Sequence, residues 1–162
     1  MEKIALILLF AALPAWGYDA NGVALGAPEV AVRKAFPSAN CRPLEWKSAA
    51  AERRCDDARI VFGGAQARIT VYLLADKVQA FDIRFDERDL ARVTAYLKSR
   101  YGKPFAESKE SIVRREGEPR ELYKVRWEKG AERALLVSQT KRKRVDLNVW
   151  LGKFDEEIYR IK

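Results

Sequence analysis

The densest group of side chains that could bind a charged ligand is the basic run Lys141-Arg142-Lys143-Arg144. Ammonium and guanidinium groups in such a run can hold phosphate or carboxylate groups of a partner. At the tip of a hairpin, the same run is also typical of a solvated turn that blocks edge-to-edge pairing of strands. The sequence leaves both interpretations open.

Three tryptophans, Trp46, Trp127 and Trp150, are candidates for partner contact, because tryptophan is enriched where interfaces are strongest. Packing inside the core is the alternative role for each of them. Trp150 is the best candidate, since strand alternation places it on the face opposite Val149 and Leu151.

Two acidic clusters, Asp56-Asp57 and Asp155-Glu156-Glu157, are the candidates for carboxylate chemistry. A glycosidase needs two acids facing each other across a cleft, and neighbours on a strand point to opposite faces. The chain has no histidine, which excludes histidine-assisted nucleophiles and removes the commonest metal ligand. The sequence therefore predicts no catalytic residue, no metal ligand and no cofactor.

The amino-terminal segment predicts export. A short apolar run follows Lys3 and ends at Pro14, and the small residues Ala15 and Gly17 suit signal peptidase. We expect residues 1–17 to be a signal peptide that is cut between Gly17 and Tyr18. An uncleaved anchor or a buried helix is the alternative. The expected product is periplasmic or secreted and keeps no stable membrane anchor.

Export changes the interpretation of the two cysteines, Cys41 and Cys55. In an oxidising compartment, two cysteines of a mature chain usually pair, so we expect a structural disulfide between them. A redox-active pair would instead have the Cys-x-x-Cys spacing.

The formal net charge of +8 favours anionic partners, such as acidic proteins, acidic lipid head groups or anionic envelope polymers. Solubility alone is the alternative explanation. Nucleic acid is not expected as a partner, because export removes the chain from most of it and no binding module is visible.

The hydrophobic periodicity predicts an α+β fold, with an antiparallel sheet and two helices, arranged as two helix-plus-three-strand units with three or four strands in the second. We expect one domain over residues 18–162, with half-units 18–85 and 86–152 and a tail over 153–162. The expected helices cover residues 29–36 and 87–100. The expected strands cover 58–62, 67–74, 78–85, 111–115, 122–127, 134–139 and 145–151.

The segment Leu25–Pro37, LGAPEVAVRKAFP, resembles the opening of small bacterial envelope domains. These include the β-lactamase inhibitory protein and the small lipoprotein of the outer-membrane assembly machine. Leu97–Pro104, followed by a strand that ends at Trp127, is similar to the second unit of many secreted proteins. The resemblance implies a binding role and no enzymatic one, and it transfers no site residues.

We therefore expect an exported, non-enzymatic binding or accessory protein that contacts an acidic or anionic envelope partner. The alternatives are a small periplasmic hydrolase that acts through carboxylates and an inhibitor of a wall-degrading or other secreted enzyme. The oligomeric state does not follow from the sequence.

Overall fold

The computed structural model describes residues 17–113 and 117–160, most of which lie in antiparallel strands. A small hairpin of β1 (Asp19–Ala20) and β2 (Val23–Ala24) comes first. The main strands are β3 (Asn40–Pro43), β4 (Arg53–Phe62), β5 (Ala65–Leu74), β6 (Lys77–Asp86), β7 (Ala106–Ile112), β8 (Arg120–Lys129), β9 (Glu132–Gln139) and β10 (Arg144–Leu151). The helices are α1 (Glu29–Ala35), α2 (Leu90–Tyr101, after a 3-10 turn at Glu87–Asp89) and α3 (Phe154–Glu157).

The main strands form one eight-stranded antiparallel sheet in the order β3-β4-β5-β6-β10-β9-β8-β7. Each run of four consecutive strands is a meander, and the last strands of the two runs pair at the centre, where Ile83 lies opposite Leu147. The predicted antiparallel sheet with helices is confirmed at this level. The described part of the chain contains more elements than predicted, since β1, β2 and β3 were not expected.

The β5–β6 hairpin is the most accurate of the predicted elements. Its alternation of apolar and polar residues is confirmed, with Phe81 and Ile83 buried and Asp82 between them half-buried. The two turn residues, Ala75 and Asp76, both have positive φ (49° and 57°). Such a turn twists in the sense that the flanking strands require.

The second predicted helix is also confirmed, with a tighter first turn. The Asp86 side chain accepts a hydrogen bond from the Arg88 backbone nitrogen and caps the 3-10 turn before α2. The apolar stripe of α2 buries Val93 and Leu97 completely. Gly102 ends the helix with a φ of +86°, a conformation that glycine adopts without strain.

Two strand boundaries differ from the prediction. The strand predicted at 58–62 is β4, which begins earlier, at Arg53, and the first half of β4 pairs with β3. Charged residues such as Arg54 and Asp56 hide the alternation in β4. The strand expected at 111–115 is β7, which ends at Ile112; this edge strand is exposed on both faces and has no apolar alternation. Residues 114–115 lie outside the described part of the chain.

Helices α1 and α2 pack on one face of the sheet, the covered face, where the main core lies. Fully buried side chains from both strand runs meet there: Phe62, Val71, Leu73, Phe81, Ile83, Val125, Trp127, Leu136, Val145, Leu147 and Val149. Trp127, considered above as a partner-binding residue, is 1% exposed and donates from Nε1 to the Gly102 carbonyl at 2.9 Å. It is therefore a core residue, and its indole nitrogen is satisfied.

The predicted signal peptide lies outside the described residues except for Gly17. The predicted first residue after the cut, Tyr18, is buried in the main core. The carboxyl-terminal tail forms the short helix α3 and buries Ile158. None of the helices in residues 17–113 and 117–160 has the length and apolar character needed to cross a bilayer.

Candidate binding groove

We call the sheet face opposite α1 and α2 the open face. It is formed by the residues that alternate with the buried ones on β4, β5, β6 and β10. Its central side chains are Arg54, Asp56, Arg68, Thr70, Tyr72, Asp82, Arg84, Arg144, Asp146, Asn148 and Trp150. Among the described residues, the β3–β4 loop and the α3 segment pack on one end of this face. The rest of it forms a groove.

The pairing of strands sorts these side chains into rows across the sheet. One row contains Asp56, Thr70, Asp82 and Asn148, on four neighbouring strands. The row on one side of it contains Arg68, Arg84 and Asp146. The row on the other side contains Tyr72, Ala80 and Trp150. Polar and charged groups from both strand runs therefore share one continuous surface.

Arg84 is the central cation of the open face. Its guanidinium lies 3.3 Å from Asp82 Oδ2 on its own strand and 3.0 Å from Asp146 Oδ1 on β10. The Arg144 guanidinium approaches the other oxygen of Asp146 at 3.7 Å. Arg84 thus connects the two strand runs through Asp146 and also pairs with Asp82 on its own strand.

Asp82 has the most unusual environment of these acids. Burial is the main cause that raises its pKa, and the nearby Asp146 adds to the effect, while Arg84 opposes it. The Asp82 Oδ1 atom is shielded from solvent and accepts no hydrogen bond within the described residues. A carboxyl group in this position holds its proton to a higher pH than an exposed aspartate does.

We call Arg68, Arg84, Lys143 and Arg144 the cationic end of the groove. They line a shallow cavity of about 370 Å³ together with Asp86. Arg68 lies directly opposite Arg84 in the sheet, and like charges in that position repel each other. In the described part of the chain, neither the Arg68 nor the Lys143 side chain has an ion-pair partner, while Asp86 is engaged by Arg88.

We call Trp46, Tyr72, Trp150, Phe154 and Tyr159 the aromatic end of the groove. Tyr159 is 73% exposed and its ring stacks on Trp46, with a centroid distance of 6.0 Å. Tyr72 packs against Phe154 at 5.2 Å, and burial raises the pKa of Tyr72 to about 12, so its hydroxyl stays protonated. This end offers flat apolar surfaces and a phenol donor.

The two ends belong to one groove. A cavity of about 470 Å³ is lined by Arg144 at one limit and by Trp150 and Tyr159 at the other. A second cavity of about 430 Å³ adjoins it through Tyr72, Asp82 and Arg84. Arg144 and Trp150 are six positions apart on β10, which corresponds to about 20 Å. The groove can therefore hold an extended chain or a small oligomer along its length.

The basic run predicted from the sequence is divided by the fold. Arg144 begins β10 and lines the groove, and Lys143 lines the shallow cavity at its end. Lys141 instead pairs with Glu118 at 2.8 Å, and Arg142 is exposed in the turn between β9 and β10. Trp150 is half-buried and lies on the same face as Arg144.

The predicted disulfide between Cys41 and Cys55 is present, and it joins residues directly opposite each other on β3 and β4. Glu29 lies close to both sulfurs. While the sulfurs are bonded to each other, they are not thiolates and do not bind a metal with this carboxylate. Glu29 instead accepts hydrogen bonds from Arg53, which are the main cause that lowers its pKa.

Arg68, Asp82, Arg84 and Asp146 were not recognised as site residues from the sequence. Their signal was present, since each alternates with apolar neighbours on a strand and so points away from the core. What the sequence does not show is that β6 pairs with β10, which brings Arg84 to Asp146.

The comparisons with known proteins found no matching family model, no matching curated protein and no matching solved structure. The resemblance to small envelope domains stays a prediction.

Proposed function

We propose that this chain is an exported, non-enzymatic binding protein that holds an anionic envelope partner in the groove of the open face. The observation that carries the proposal is the position of Arg68. It lies directly opposite Arg84 on the neighbouring strand and has no ion-pair partner among the described residues. An unpaired cation opposite another cation costs stability. A bound anion would remove that cost.

The net positive charge at the cationic end favours a ligand that carries more than one negative charge. The two acids next to Arg84, Asp82 and Asp146, offset two of the four cations. This leaves two cations for a ligand, and planar guanidinium groups suit phosphate and carboxylate oxygens. The aromatic end would contact apolar parts of the same partner.

Export of the chain is part of the proposal. The disulfide supports it, because structural disulfides persist mainly outside the reducing cytosol.

A polyanion column tests whether the groove, and not the overall charge, binds the partner. We compare R68Q/R144Q with K34Q/K103Q, in which two exposed lysines away from the groove are changed. Both variants lose two positive charges from the formal +8. On immobilised polyglutamate or polyphosphate, we expect the groove variant to bind about tenfold more weakly than the control variant. Equal weakening in both would overturn the proposal.

A second candidate function is hydrolysis through carboxylates, and Asp82 is the observation that favours it. An acid with a raised pKa beside a second carboxylate, Asp146, is the pair that such an enzyme needs. Arg84 contacts both acids, which suits an ion-pair network better. Release of soluble fragments from envelope polysaccharide, lost in D82N and D146N, would replace the binding proposal with this one.

A further inference from the structure

The first residues of the described chain are held firmly in the core. Tyr18 is 4% exposed, and its ring lies 4.7 Å from the ring of Tyr101. Asp19 is 6% exposed and pairs with Arg100 at 2.8 Å, and the Asp19 carbonyl accepts the Tyr101 hydroxyl at 2.7 Å. From Tyr18 onward, the chain is therefore fixed in position.

One carboxylate meets the backbone at the position where cleavage is predicted. The Tyr18 backbone nitrogen donates to Glu132 Oε2 at 2.9 Å. The preceding residue, Gly17, lies against the same group, because a Cβ on Gly17 would be 2.6 Å from Glu132 Oε1. Glu132 is half-buried at the start of β9.

We propose that Glu132 is the receiving site for the amino terminus that forms when the chain is cut between Gly17 and Tyr18. Hydrolysis adds one water across the amide: the C–N bond breaks, the water oxygen stays on Gly17 as part of a carboxylate, and its two hydrogens go to the Tyr18 nitrogen. That nitrogen becomes an ammonium group beside Glu132. A hydrogen bond from a neutral donor is thus replaced by an ion pair, which is stronger.

The proposal rests on the predicted signal cleavage and is independent of the groove. The charged groups that act on the Tyr18 phenol are Glu132, Arg133 and Glu128. The next residue, Asp19, is paired with Arg100, so these two charges offset each other. The group in contact with the Tyr18 nitrogen is the Glu132 carboxylate, and this geometry favours a cation at that position. The site stabilises the processed chain and offers no such gain to the uncut one.

The test measures the pKa of the α-amino group in the protein processed from the full chain. Intact mass should first show that the chain begins at Tyr18. We expect an α-amino pKa about one unit above the ordinary value of about 8, followed by pH-dependent acylation of the terminus. E132Q should return this pKa to the ordinary range, and the matched variant E121Q, on the neighbouring strand, should leave it raised.

A processed form whose Tyr18 amine is acetylated gives a second comparison within the wild-type sequence. Its Tyr18 nitrogen stays a neutral amide donor to Glu132, so E132Q should lower its melting temperature less than it lowers that of the processed protein with a free amine. An amino terminus at another residue, or an ordinary α-amino pKa in the processed wild-type protein, would overturn the proposal even if E132Q does not fold.

Discussion

The two faces of the sheet are built from the same strands and differ in almost every physical property. On the covered face, Val71, Ile83 and Leu147 are fully buried. Their strand neighbours on the open face, such as Asp82 and Asn148, are polar and half-buried. One set of strands therefore provides a core on one side and a charged, aromatic surface on the other.

Burial places most of the stability on the covered face. Removing apolar surface from water stabilises the fold by about 25 cal/mol for each Å². The ion pairs of the open face are partly solvated, with Arg84 41% exposed, and such pairs contribute about 0–1 kcal/mol each. The open face can therefore change its chemistry at little cost to folding, which suits a binding surface.

The largest predicted effect comes from adjacent residues on opposite faces. L147A leaves a cavity in the covered face and should lower the free energy of unfolding by about 2–5 kcal/mol. N148A, one position away on the open face, should change it by about 0.5 kcal/mol or less. Urea unfolding of both variants measures the difference. Similar losses in both would break the comparison of the faces.

Loss of the disulfide should have the next largest effect on stability. Cys55 is fully buried on the covered face, and the bond closes a loop with a sequence separation of 14. Changing both cysteines to alanine should cost about 3 kcal/mol, mainly because the unfolded chain regains freedom. Thermal unfolding of the variant and of the oxidised wild type checks this value. An unchanged melting temperature would show that the pairing of β3 with β4 needs no covalent support.

Because of Asp82, the contribution of the open face to the free energy of unfolding should depend on pH. Since burial raises its pKa, the folded state binds the proton more tightly than the unfolded state does. The associated stability is present below the ordinary aspartate pKa and is lost as the pH rises through the raised one. D82N lacks this titration, so its stability relative to wild type should increase across that window. Urea unfolding at a series of pH values measures the change, and a constant difference would contradict it.

The smallest predicted effect is a gain in stability. R68Q removes one of two opposed cations from the open face and should raise the free energy of unfolding by about 0.5 kcal/mol. The same change should weaken binding to polyanions. A variant that is more stable but binds more weakly would sharpen the contrast between the covered face, which stabilises the fold, and the open face, which is proposed to bind a partner. Such an exchange of stability for function is common in proteins. A loss of stability would indicate a structural role for Arg68.

The elements that were predicted well have a buried face and a solvated one. Alternation in the β5–β6 hairpin and the apolar stripe that includes Val93 and Leu97 identified both elements. In contrast, β7 was placed too late and β3 was missed, because their residues are mostly exposed and show no apolar period. Local pattern therefore located elements only where burial imposed a period on them.

The groove required information that no local pattern contains. Trp150 and Arg144 were recognised as candidates because they stand out by residue type. Arg84 and Asp146 form part of the same site only because β6 and β10 are neighbours in the sheet. Strand order between distant segments depends on tertiary packing, which residue types alone do not specify.

The pairing of β6 with β10 also determines when the sheet can be completed. During synthesis, β6 is made long before β10, so its edge stays bare until the last strand emerges. Contacts between such distant segments form slowly, because a long loop must close first. The chain is therefore expected to stay incompletely folded until its synthesis is nearly finished, which is the state that the proposed export would require.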